Sequence, residues 1–108
     1  MAESDLATQQ RFLVELEQEI RNANRATINP VIPPVTKEKI IPLAQSVAQL
    51  RARYLEAAFH MAERSQGEAP DESDVKSLRR YREIYEEARH AFEELQHAIE
   101  RGYVDVVE

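Results

Sequence analysis

The residues best equipped for chemistry lie near the C-terminal end, where Glu87-Ala-Arg-His90 and Glu94-Leu-Gln-His97 repeat a Glu-x-x-His spacing one heptad apart and Glu83 continues the stripe. On a helix, a carboxylate and an imidazole three positions apart share a face, so two such pairs can reach a common ion. Helical bundles that hold a carboxylate-bridged metal pair use this device, with further carboxylates from neighbouring helices. A metal reading therefore assigns Glu87, His90, Glu94 and His97 as ligands of a divalent metal such as iron or zinc, with Glu56, His60 and Glu63 on a second helical stripe. The helical wheel opposes it. At about 100° per residue the Glu/His stripe lies roughly 140° from the apolar seam of its own helix, so it points away from a bundle core. A solvated face accounts for it with no cofactor.

Arg51 is the second feature, because it falls between two apolar stripes, among Ala44, Val47, Ala48, Leu55 and Ala58. A guanidinium there is costly unless it is paired. Its stem can lie along the core while its head meets an acid, with Glu17 at the edge of the first helix's apolar stripe as the expected partner. The functional alternative is a small-molecule anion site anchored by Arg51, with Gln9 and Asn24 as hydrogen-bonding groups.

Little else suggests catalysis. The chain has no Cys and only 2 Gly, so there is no thiolate nucleophile, no disulfide framework and no Gly-rich phosphate loop. The serines lack a nearby His in a suggestive context, and an enzyme is not the expectation. Net charge is −6, from 14 Lys plus Arg against 20 Asp plus Glu. The most basic run, Lys76, Arg79, Arg80 and Arg82, is flanked by Asp71, Glu72, Asp74 and Glu83. Without a sustained basic face, nucleic-acid binding is not expected. No apolar run reaches membrane-spanning length, and the polar start Met1-Ala2-Glu3-Ser4-Asp5 resembles neither a secretory signal nor a transit peptide. The expected setting is soluble and cytoplasmic.

Three periodic segments position these residues. Over about 5–26, Leu6, Leu13, Leu16, Ile20 and Ala23 recur at helical spacing, and Ser4 or Asp5 can cap the opening turn. The second helix, about 37–65, bears a double stripe: Leu43, Val47, Leu50, Tyr54, Ala57 and Met61 on one side, Ala44, Ala48, Leu55, Phe59 and Ala62 on the other. A stripe that wide faces two neighbours. Pro42 either kinks this helix or marks its first turn after a separate turn. The third helix, about 72–101, carries Leu78, Tyr81, Tyr85, Ala88, Phe92, Leu95 and Ile99 as a heptad seam, with Asp71 or Ser73 as its cap and Gly102 as its stop.

Between the first two helices, residues 27–36 hold Pro30, Pro33 and Pro34 beside Ile28, Val31, Ile32 and Val35. This composition predicts an extended connector packed against the bundle. The tail, 102–108, is too short to form a sheet, so it is expected frayed or docked on a partner through Tyr103, Val104, Val106 and Val107.

The sequence thus predicts one all-α domain, 1–108, folded as an antiparallel three-helix bundle whose second and third helices form a long hairpin. An elongated hairpin with a two-sided second helix buries its apolar surface poorly alone, which predicts a homodimer joined along the second or third helices. The expected role is a non-enzymatic scaffold or adaptor that presents a helical face or its tail to an unidentified protein partner, with no nucleic acid and no membrane involved.

Overall fold

The computed structural model describes residues 2–108, with side chains from Asp5 onward. It is all-helical: α1 spans Ala2–Ile28, α2 spans Lys37–Ser65 and α3 spans Glu72–Glu100. Helix α1 starts ahead of Ser4 and Asp5, so these two lie within its opening turns instead of capping it. Helix α2 is one continuous element with Pro42 inside it, which removes the need for a separate turn at 37–41. The chain groups into two compact units, one made of residues 37–96 and the other of residues 1–36 with 97–108.

In the first of these units α2 packs on α3, and one of the two α2 stripes is covered throughout. Leu43, Leu50, Tyr54, Ala57 and Met61 are half-buried and Val47 is buried; on the other stripe Ala44 is half-buried, whereas Ala48, Leu55, Phe59 and Ala62 stay exposed. Facing them, Leu78, Tyr85, Ala88, Phe92 and Leu95 of the heptad seam are half-buried, while Tyr81 of the same seam is exposed. One aromatic and two polar contacts pin the pair. The rings of Tyr54 and Tyr85 stack with centroids 6.2 Å apart, Arg51 Nε donates to the Tyr85 hydroxyl at 3.0 Å, and Arg64 grips both carboxylate oxygens of Asp74 at 2.9 and 3.4 Å.

Side-chain and backbone capping close the connection between the two helices. Helix α2 ends with the Gly67 N–H on the Ala62 carbonyl and the Gln66 N–H on the Glu63 carbonyl. This paired pattern places Gln66 in the left-handed region, at φ 53°. Helix α3 begins with Asp71, whose Oδ1 accepts the Asp74 N–H at 2.8 Å. That bond satisfies one of the orphan donors of the first turn.

The second unit joins the connector, the tail and the ends of α1 and α3. Val31 and Ile32 both donate to the Ile28 carbonyl, so the chain leaves α1 through a turn before it extends. Pro33 and Pro34 offer no N–H to continue that turn. Val35 then donates to the Asp105 carbonyl at 2.8 Å and accepts from the Val107 N–H at 2.9 Å, forming a one-residue parallel bridge with Val106. The tail is therefore docked on its own unit, not frayed. Val35, Tyr103 and Val104 are exposed by only 4, 7 and 5%, and with Val47 they make up the buried apolar residues among those described.

A backbone reversal brings the tail to this position. The Tyr103 N–H bonds the Ala98 carbonyl and the Gly102 N–H bonds the Ile99 carbonyl, a Schellman closure that needs Gly102 at its φ of 76°. Tyr103 then sets its ring edge-on to His97, centroids 6.2 Å apart. Three of the four buried apolar residues among those described thus lie in the connector and the tail. Within the connector Val35 is buried, while Val31 and Ile32 are exposed.

Candidate functional site

The Glu/His stripe is exposed along its length: Glu83, Glu87, His90, Glu94 and His97 all face solvent. Its two imidazoles meet an arginine and a tyrosine. Arg89 Nη2 lies 3.3 Å from His90 Nε2 while its Nη1 pairs with Glu93 at 2.7 Å, and His97 meets Tyr103. Among the described residues no group of three or more His, Asp or Glu side chains is arranged to hold a metal ion.

Arg51 is exposed, and its partner is aromatic. Its guanidinium carbon sits 5.2 Å from the centre of the Tyr85 ring, so the cation lies over the ring's negative face while Nε bonds the hydroxyl. Tyr85 lies on the α3 seam and was legible there, but its pairing with Arg51 depends on the register of α2 against α3, which sequence spacing does not set. Glu17, the acid expected for Arg51, instead accepts from Arg101 Nη2 at 3.1 Å. That carboxylate, followed by the Tyr103 hydroxyl, raises the Arg101 pKa further above its ordinary range. Gln9 and Asn24 belong to the unit that contains α1, whereas Arg51 belongs to the other. Asn24 is turned back onto its own helix, donating to the Ile20 carbonyl at 3.0 Å. Gln9 lines a shallow apolar depression of about 390 Å³ with Thr8, Phe12 and Leu13.

Sequence reasoning missed a groove between α2 and α3. It encloses about 440 Å³ and is lined by residues that include Arg53, Glu56, His60, Arg64, Asp74 and Tyr81. Two arginines there are matched by two carboxylates, and Arg64 is already held by Asp74. Apart from His60, the lining has no net charge with which to select an anion or a cation.

The tail residues are divided. Tyr103 and Val104 are buried within their own unit, while Val106 and Val107 remain about half exposed. Large apolar side chains are exposed on all three helices: Leu6, Phe12, Leu13, Val14, Leu16 and Ile20 on α1, Ile41, Leu55 and Phe59 on α2, with Phe59 at 71%, and Val75, Tyr81 and Ile84 on α3. Groups of such side chains mark interaction sites more often than does a single stray one. No described helix is long and apolar enough to cross a membrane. No protein family, curated protein or solved structure matches the chain.

Proposed function

We propose that the protein is a non-enzymatic helical scaffold that works as a homodimer, with two antiparallel α2–α3 hairpins joined along the outer stripe of α2. The carrying observation is the half-covered double stripe: Ala48, Leu55, Phe59 and Ala62 repeat at helical spacing and stay exposed, while the opposite side is half-buried or buried. Small residues beside two large ones allow a second helix to approach closely and be anchored. The contacts within the hairpin support its antiparallel course, since Arg64 meets Asp74 ten residues away and Arg51 meets Tyr85 thirty-four away.

A partner protein then meets the assembled dimer, and Val106 and Val107 are the part of the tail it can reach. The absence of Cys supports a cytoplasmic setting, where structural disulfides are rare.

The test is to place charge on the stripe. Leu55→Asp with Phe59→Asp is expected to halve the mass measured by light scattering while the helical circular dichroism is kept. A wild-type chain that is monomeric at every concentration removes the proposal, as does a double variant that stays dimeric.

A further inference from the structure

The outer stripe of α2 leaves a second apolar face unaccounted for, on the first twenty residues of α1. From Asp5 to Arg21 every described side chain of α1 is exposed, including Phe12 at 61% and Leu13 at 60%. The tail and connector engage the C-terminal part of this helix and one flank, through Glu17, Arg25 and the half-buried Asn24 and Ile28. An isolated helix of this composition is marginal in water, because helical stability comes chiefly from packing an apolar face.

The spacing of that face specifies its occupant. Leu6, Gln9, Leu13, Leu16, Ile20 and Ala23 alternate in steps of three and four, which is the a/d seam of a coiled coil. The flanking e and g positions are then Asp5, Gln10, Phe12, Glu17, Glu19, Asn24 and Ala26. Every charged residue among them is acidic. The arginines Arg11, Arg21 and Arg25 fall at b and f positions, away from the seam. Glu17 is shared with Arg101, which leaves Asp5 and Glu19 to meet an incoming helix. Two copies of α1 laid together would bring acid-only flanks to the same seam, whereas e/g charges of opposite sign direct pairing toward a complementary strand.

We propose that the N-terminal part of α1 is the docking surface for an amphipathic helix of another protein, with an apolar a/d face and Lys or Arg at its e and g positions. This rests on the reading of the chain as an interaction protein, but it uses a surface separate from the α2 stripe. Leu13 and Leu16 fill the centre of the contact, Phe12 covers one edge, and Asp5 and Glu19 select the basic partner.

The probe is a synthetic three-heptad peptide with Leu at a and d and Lys at e and g, titrated into the full chain alongside a matched peptide with Glu at e and g. The Lys peptide is expected to bind roughly tenfold or more tightly than the Glu peptide, and to weaken as salt rises. Asp5→Lys with Glu19→Lys should reverse that order, and Leu13→Glu should abolish binding without changing the mass of the chain. Equal binding of both peptides, binding of neither, or a loss of the chain's own dimer in Leu13→Glu overturns the inference. The last result would place a second copy on α1. Because the α2 stripe is tested by Leu55→Asp with Phe59→Asp, either reading can fail while the other stands.

Discussion

Arg25 and Asp105, eighty positions apart in the chain, meet at 2.9 Å, while the other Arg25 terminal nitrogen donates to the Gly102 carbonyl at 2.8 Å. One side chain on α1 thus ties down both the turn that ends α3 and the tail that follows it. The Arg25 hydrogen bond, then that of Asn29, holds the Asp105 carboxyl below its ordinary pKa. The folded tail binds a proton less readily than the unfolded one. Its contribution to stability is therefore complete above the ordinary aspartate value of about 3.9 and is lost as pH falls through the lowered value. Acid titration followed by the Tyr103 signal should show the tail releasing in that window. Asp105→Asn should loosen the tail at neutral pH and remove this step.

Val35 is the most buried of the described apolar residues, and its backbone makes both bonds of the bridge to the tail. Val35→Ala should cost about 2 kcal/mol, from lost transfer energy and the cavity left behind. Hydrogen exchange should show the Val107 amide losing protection before the amides of mid-α2. Equal loss across the chain would mean that the bridge has no local role.

The two helix ends that close through left-handed residues make opposite predictions. Gly102 has φ 76° and open space where a Cβ would stand, so Gly102→Ala suffers only from the backbone, by about 1 kcal/mol. Gln66 occupies the corresponding position after α2 at φ 53°, and Gln66→Gly should stabilise by up to roughly 1 kcal/mol. Chemical denaturation of both variants checks the signs.

How far the sequence carried the fold depends on the kind of signal. Long helical periods were legible: α2 was expected at 37–65 and spans Lys37–Ser65, but of the two stripes expected to face neighbours the one through Val47 is covered, while Leu55 and Phe59 on the other are exposed. Local capping was legible at Asp71 and Gly102. What escaped was non-local pairing. Nothing in the spacing of Val35 and Val106 announces a bridge across seventy residues, and short apolar segments look alike whether loose or docked. The same limit applies to the candidate sites, since the Arg51 partner turned on helix register and Glu17 was claimed by Arg101 instead.

The Arg51–Tyr85 contact is expected to be modest, because the guanidinium is in water. A double-mutant cycle with Arg51→Met and Tyr85→Leu should give a coupling of about 0.5–1 kcal/mol. Tyr85→Phe keeps the ring and should lose only part of it. A coupling near zero would assign the hold between α2 and α3 to apolar packing and to Arg64–Asp74 alone.

Native mass spectrometry of the full chain, purified without added metal or ligand, tests the scaffold reading most directly. The account predicts a dimer at twice the chain mass with no retained small species. A monomer at every concentration would contradict the two-fold assembly through Leu55 and Phe59, and a dimer that carries a bound metal ion would contradict the non-enzymatic scaffold.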